Sequence, residues 1–348
     1  SKTTFQYLKM FLKKGYVVKF IGDNYLHEEP YTSTLQQMGI EVLYGQEYLT
    51  GIWDWLVKNG KDIHVAYLNR PHIATKYVDF IKEHTDIKMI YYGHDLHFMR
   101  EFREYELTGD VKKRQESEYW KSIEFSLFHK VAVSYYPSYV EEEAIHAVDE
   151  TIPVKAITAY VYEEFLQNLN KDFAKREGLL FVGGFAHPPN ADAVLWFAKE
   201  VFPKIREQIK VNFYIVGSKV TDEIKALEQP GNGIIVKGFV SEEELADLYR
   251  NCRIVVVPLR YGAGVKGKVV EAIYNGAPIV TTSVGSEGIP DVEKVLLVKD
   301  QPDEFAETVI ELYNDEKRLE DLAEKTQVYI REHFSIDAAW DVIKEDFE

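Results

Sequence analysis

The sequence predicts an α/β architecture of two Rossmann-like domains, each a doubly wound parallel sheet. Three observations carry this. Short apolar runs rich in Val, Ile, Tyr and Phe recur along all 348 residues; segments of helical period alternate with them; and no low-complexity stretch or short-period repeat interrupts the scheme. Near-continuous apolar strands separated by helices are the pattern of parallel sheets covered on both faces.

In the first half the strand runs are residues 16–21, 40–44, 63–68, 88–93, 130–136 and 154–160. Before them lies a helix whose start Ser1, Thr3 or Thr4 can cap. Phe5, Leu8, Phe11 and Leu12 form its apolar face, and Gly15 closes it. A chain that opens on the helix of a β-α-β unit predicts a preceding strand in a longer polypeptide. Pro71 suits the first turn of a helix over 71–84. The second half repeats the alternation with strands at 179–184, 211–217, 233–239, 253–259, 278–283 and 295–300. The polar stretch 163–178 reads as a linker, which divides the chain into residues 1–165, 166–335 and a terminal helix at 336–348.

Composition narrows the function. The net charge of −16 argues against nucleic acid and against anionic lipid as partners, since both require clustered Lys and Arg. Cys252 is the only cysteine, which excludes an intrachain disulfide and a cysteine-built zinc site. No apolar run approaches the length of a bilayer span and no signal peptide is evident. The expected setting is cytoplasmic, with any contact at the inner face of a membrane made through other domains or partners.

Residues 262–268, GAGVKGK, fit the first seven places of the phosphate-cradling loop G-x-x-x-x-G-K. The eighth place fails. Val269 stands where that loop needs a Ser or Thr hydroxyl for Mg²⁺, so nucleoside triphosphate hydrolysis is set aside. The glycines, Lys268 and the downstream Glu271 still suit a nucleoside diphosphate. In open α/β sheets ligands bind outside the carboxyl ends of the strands. Each second-half strand from 179 to 283 is followed there by glycine, including Gly183, Gly184, Gly217, Gly238, Gly262 and Gly264. Glycine permits close backbone approach, and helix N-termini attract anions.

These segments also carry a resemblance. FVGGFAHPPNADAVLWFAKEVFP, FYIVGS, the long run from VKGFVSEEEL through GAGVKGKVVEA to SVGSEGI, and the ending HFSIDAAWDVIKEDF resemble the nucleotide-binding domain of glycosyltransferase family four, over about 178–335 and the terminal helix. The first half resembles the acceptor domain of the same enzymes, most clearly in YYGHDLHFMRE. The resemblance implies the GT-B fold, in which two Rossmann-like domains face a cleft. It also implies transfer from a nucleoside diphosphate sugar with retention of configuration, no obligate metal and no protein nucleophile. The terminal helix would cross back to the first domain, with Ser335 as its cap and Trp340 on its apolar stripe.

Site residues follow from the matching positions. Glu271 matches the second glutamate of the family's E-x7-E motif, the ribose-binding carboxylate. Ala263 stands where the first glutamate would be, a departure shared with a subgroup showing G-x-G-x-x-x-K-x-x-E. Sugar contacts then fall to backbone N–H groups of Gly262, Gly264 and Val265. Gly183, Gly184 and Lys268 are assigned to phosphate, with Arg260 and Lys266 as further candidates. The family's Arg-plus-Lys pair is replaced by HPPN, which brings Asn190 into the donor set together with Gly217. Base contacts are assigned to the backbone of Gly238, Phe239 and Val240. In the first half His94 matches the cleft histidine near the reacting hydroxyl, Asp95 is expected to orient it, and His97 is a weaker candidate.

The expected function is therefore a glycosyltransferase acting on a glycan or lipid-linked acceptor in polysaccharide biosynthesis, with no cofactor beyond its donor substrate. No Asp-x-Asp pair occurs that could place a metal around the diphosphate. The rival reading is a non-catalytic sugar-nucleotide or carbohydrate-binding module of a larger polysaccharide-synthesis protein; release of nucleoside diphosphate separates the two. An epimerase on the same fold ranks third.

Overall fold

The computed structural model describes residues 2–262 and 264–348. Ser1, one of the expected helix caps, and Ala263, the position without a glutamate, lie outside the described residues. Twelve strands occur among those described. They are β1 (Lys19–Ile21), β2 (Glu41–Leu43), β3 (Val65–Asn69), β4 (Lys88–Tyr92), β5 (Val133–Tyr136), β6 (Val154–Ala156), β7 (Leu179–Val182), β8 (Phe213–Val216), β9 (Ile234–Gly238), β10 (Ile254–Val257), β11 (Ile279–Thr281) and β12 (Leu296–Val298). Each falls in a run predicted as a strand, β3 extending one residue past its run, and every ladder between them is parallel.

The chain forms two compact units, one of residues up to Val161 together with Ala339–Glu348, the other Tyr162–Ala338. The second is a six-stranded sheet in the order β12-β11-β10-β7-β8-β9. The chain starts at the centre with β7, builds outward through β8 and β9, then returns to place β10 against the other side of β7. Ile254, Val256, Phe181 and Ile279 are fully buried, as strands covered on both faces require.

The first unit departs from one continuous sheet. Strands β3-β4-β5-β6 form a four-stranded sheet, while β1 and β2 pair only with each other. Among the described residues no strand bridges β1 to β3, so the ladder is interrupted there. Tyr91, Tyr92, Tyr135 and Tyr136 of β4 and β5 are buried and supply much of the core volume.

The stretch 163–178 is not a free linker. Phe173 is buried, and the buried Arg176 guanidinium donates to the carbonyls of Cys252 at 2.8 Å and Tyr249 at 2.9 Å. Those carbonyls end the helix Glu242–Asn251, whose unpaired C=O groups attract a cation. A polar sequence here marks a cap for a neighbouring helix rather than a solvated connection.

The end of the chain belongs to the first unit. The Trp340 ring packs at a tilt against Tyr16 at 5.6 Å, and Phe347 sits 5.0 Å from Phe11 and 5.7 Å from Tyr16. Ser335 Oγ accepts from Ala338 N at 3.1 Å, the expected cap. Tyr135 and Lys155 hold the Asp346 carboxylate at 2.6 and 2.7 Å. Replacing Phe347 with Ala should cost the first unit about 3 kcal/mol, as large-to-small core changes do. Hydrogen exchange should then rise in β3–β5 and stay unchanged in β7–β10; equal acceleration in both would show that the terminal residues do not belong to the first core.

Candidate active site

In the second sheet, strand order reverses between β7 and β10, whose Leu179 and Leu180 stand opposite Ile254 and Val255. Loops leaving the carboxyl ends of these two strands diverge, and the crevice between them is where open α/β sheets bind ligands. The loop after β7 carries Gly183 and Gly184; the loop after β10 carries residues 260–266 and leads into the helix Gly267–Tyr274. Fold topology alone therefore brings together the two glycine-rich segments singled out in the sequence.

Lys268 reaches across this junction. Its ammonium donates to Asn190 Oδ1, and Asn190 Nδ2 donates to the Gly184 carbonyl at 2.7 Å. A methyl group on Gly183 would lie 3.0 Å from the Lys268 nitrogen, so the absence of a side chain there lets the ammonium approach the backbone. The same nitrogen stands 5.0 Å from the centre of the Phe181 ring. Burial, and then the neighbouring Lys266, lower the Lys268 amine to about 8. Burial, Lys268 and Lys266 also hold the His187 imidazole below its ordinary value. Positive charge is thus concentrated at one point of an acidic protein.

The backbone donors sort themselves. Gly183 N–H is committed to Val216 O at 2.9 Å and Gly217 N–H to Gly238 O at 2.8 Å, both continuing the sheet ladder. Gly184, next to the lysine, carries the backbone N–H that the ladder does not take. Gly238 ends β9 in the left-handed region, at φ +69°, and beyond it Phe239 is 80% exposed, with Val240 half-buried.

On the helix Gly267–Tyr274, Val269, Val270, Ala272 and Ile273 are fully buried, while Lys268 and Glu271 are half-buried one turn apart on the same face. Burial, then the Glu271 carboxylate, push the buried Tyr249 phenol up. Arg260 is engaged elsewhere: it forms a two-pronged pair with Asp192, its Nε donating at 2.9 Å. That pairing gives Arg260 a partner outside the lysine cluster. Lys266 donates to the Gly264 carbonyl and lies 3.3 Å from Glu287. Gly262 and Val265 are half-buried on the same loop.

In the first unit His94 and Asp95 follow β4. Burial, and then Arg70, lower the His94 imidazole to about 4, so it is neutral at pH 7. Its ring meets Tyr92 edge-on at 4.6 Å. Asp95 is not its orienting partner: the carboxylate pairs with Arg100 and lies 3.9 Å from His97 Nδ1. His97 is a fixture of the fold. Its backbone N–H and that of Phe98 donate to the fully buried Glu124 at 2.9 and 3.1 Å, which caps the helix His97–Thr108. Burial works against charge on His97, but Glu124 and Asp95 outweigh it and hold the imidazole above its ordinary value. Arg70 and Glu124 were not legible as site-shaping residues. Only the register Asn69↔Tyr92 puts Arg70 beside His94, and only tertiary packing carries Glu124 to a helix start.

Residues 176–315 match the family model described as glycosyl transferases group 1. That segment is similar to a group 1 glycosyltransferase domain. It spans β7 to β12 and contains every second-unit residue placed at the candidate site above. The chain is also 29% identical over 184 residues to an uncharacterized 44.6 kDa protein in the cps region of Klebsiella pneumoniae, covering 50% of this chain and 45% of that protein. An uncharacterized glycosyltransferase of Methanocaldococcus jannaschii is 28% identical over 187 residues, 51% of this chain and 49% of its own. The match spans about half the length of each of these relatives. Among solved structures, Anabaena HepE in complex with UDP superposes with a TM-score of 0.68 at 13% identity, over 99% of this chain and 96% of that one. Likeness at that identity establishes the GT-B fold. The resemblance drawn from the sequence is borne out in family and in fold.

Among the described residues no helix is long and apolar enough to cross a membrane. The neutrality of His94 is directly measurable. Burial and Arg70 both disfavour the imidazolium, so its NMR ring-proton shift should stay at the neutral value from about pH 8 to about pH 5 and titrate near 4. Assignment by His94→Gln identifies the signal; a midpoint near 6.5 would show a solvated ring free of Arg70.

Proposed function

We propose that the chain is a glycosyltransferase that moves a sugar from a nucleoside diphosphate sugar to a hydroxyl of a glycan or lipid-linked acceptor, with retention and without a metal. The observation that carries the reading is Lys268, held among Gly183, Gly184 and Asn190 at the switch point of a segment similar to a group 1 glycosyltransferase domain. HepE, which shares the fold, was crystallised with UDP and with UDP-glucose.

In this reading the Lys268 ammonium and the Gly184 N–H receive the diphosphate. Charge that develops on the leaving phosphate is met by a fixed cation in a poorly hydrated place, where it acts more strongly than in water. Phosphate also restores the full charge of an amine that burial has lowered. Glu271, one turn further along the helix, accepts from the two ribose hydroxyls. The exposed Phe239 and the backbone beside it offer a surface for the base. On the first unit, His94 as a neutral imidazole can accept or donate one hydrogen bond at the reacting hydroxyl without adding charge. The hydroxyl attacks on the side from which the diphosphate departs, and its proton passes to a departing phosphate oxygen. The C1–O bond to phosphate breaks as the C1–O bond to the acceptor forms.

A panel of UDP-, GDP-, ADP- and dTDP-sugars read by release of nucleoside diphosphate tests this. Release should persist in EDTA. Glu271→Ala should weaken donor binding by about 1.5–3 kcal/mol, the scale of a charged hydrogen bond, with the fold retained. Binding without release would favour the non-catalytic module, and activity lost to EDTA and restored by Mg²⁺ or Mn²⁺ would contradict the metal-free site.

A further inference from the structure

A carboxylate outside the residues so far assigned reaches the same loop. Val257 at the end of β10 stands opposite Thr281 at the end of β11, so the segments leaving the two strands run side by side. Glu287 comes from the second of these. Its Oε2 lies 3.3 Å from the Lys266 ammonium, which also donates to the Gly264 carbonyl. Both side chains are mostly out of water, Lys266 at 10% and Glu287 at 19% exposure. Between Gly262 and Gly267 the loop has no carboxylate of its own. The carboxylate at this point is delivered by the segment that follows the neighbouring strand.

The segment presenting Glu287 is closely held. Thr282 Oγ1 donates to the Leu259 carbonyl and accepts from Gly285 N at 3.2 Å; Ser286 Oγ donates to Thr282 O at 3.2 Å. Gly285 packs so tightly that a Cβ there would fall on the Thr281 hydroxyl and lie 2.9 Å from Val257 O. Further on, the Tyr329 hydroxyl donates to the Pro290 carbonyl. A poorly hydrated ion pair contributes little net stability, because desolvation offsets the attraction. Holding one in a fixed place makes chemical sense where a ligand uses it. A carboxylate accepts from hydroxyl protons and an ammonium donates to hydroxyl oxygens, so the pair recognises neighbouring hydroxyls on one molecule. Its place is also suitable. Lys266 is close enough to Lys268 to act on its charge, which puts the pair beside the phosphate-binding lysine instead of at it.

We propose that Glu287, held by Lys266, is a specificity-determining residue that accepts hydrogen bonds from hydroxyls of the sugar in a nucleoside diphosphate sugar. This rests on the sugar-nucleotide reading of the site. The pair lies wholly within the second unit, and its contribution is to choice of donor rather than to grip on the nucleotide.

Calorimetric titration of matched ligands separates the two. UDP with UDP-glucose, GDP with GDP-mannose and ADP with ADP-glucose are each titrated into the wild-type chain and into Glu287→Gln. The variant should bind the free diphosphate within about twofold of wild type, and its preference for the sugar conjugate should fall by about tenfold or more, the loss of one charged hydrogen bond. Glu287→Asp keeps the charge beside Lys266 but draws the carboxylate back, and should show the same selective loss with the fold preserved. An unchanged ratio in both variants, for every pair that the wild type binds, overturns the proposal. So does an equal loss for diphosphate and conjugate, which would mean that Glu287 only positions Lys266. A wild type that binds none of the diphosphates removes the functional reading itself, an outcome distinct from either.

Discussion

An ammonium group taken out of water at the carboxyl edge of a parallel sheet is the constraint around which the second unit is arranged. Lys268 stands over Phe181, donates to Asn190 and lies against Gly183, and burial lowers it to about 8. A shift of that size is a penalty on the charged form on the order of 3 kcal/mol. The fold carries it through several local choices. Gly183 leaves room for the ammonium, Asn190 links it to the Gly184 carbonyl, and four buried residues, Val269, Val270, Ala272 and Ile273, fasten the helix from which it projects. A multivalent anion repays such an arrangement; a neutral ligand does not.

The first unit shows the complementary use of burial. Glu124 is a fully buried carboxylate, and its environment compensates it with two backbone N–H groups at a helix start and with the His97 imidazole. Nearby, among the described residues no carboxylate is bonded to the His94 ring, and burial and then Arg70 hold it neutral. Two histidines three positions apart are therefore pushed in opposite directions, His94 below and His97 above the ordinary imidazole value. One is a fixture of a helix cap and the other retains a ring free for hydrogen bonding, a division set by which of them meets Glu124.

Much of this was legible in the sequence because it is carried by local pattern. Apolar runs located all twelve strands, and glycine at their ends pointed to the binding edge. Lys268 was legible in the loop GAGVKGK and Glu271 in the resemblance to the family's motif, and helical spacing puts the two on one face. What the sequence did not disclose depends on register between distant segments. Glu287 meets Lys266 only because β10 and β11 are adjacent and aligned at Val257 and Thr281. Asp95 follows His94 directly, yet its carboxylate pairs with Arg100, which the helix His97–Thr108 carries. Arg260 looked available for phosphate until Asp192, a helix residue far away in sequence, took its guanidinium. Arg176 lay in a polar stretch that suggested a linker, and its partners, the carbonyls of Tyr249 and Cys252, give no signal in the sequence. The interruption between β1 and β3 likewise arises from strand pairing, which apolar runs alone do not specify.

The central claim is that Lys268 is a partly neutral amine awaiting a phosphate anion, and proton uptake on binding tests it most directly. UDP, or the nucleoside diphosphate selected by the panel, is titrated calorimetrically at pH 8 in buffers of differing ionisation enthalpy. With the amine at about 8 in the free protein and raised by the bound anion, about half a proton should be drawn from the buffer per site. In Lys268→Arg, whose guanidinium is always charged, binding should survive and the uptake disappear. Binding at pH 8 with no proton uptake in the wild type, or with the same uptake in Lys268→Arg, would contradict the assignment of Lys268 to the diphosphate.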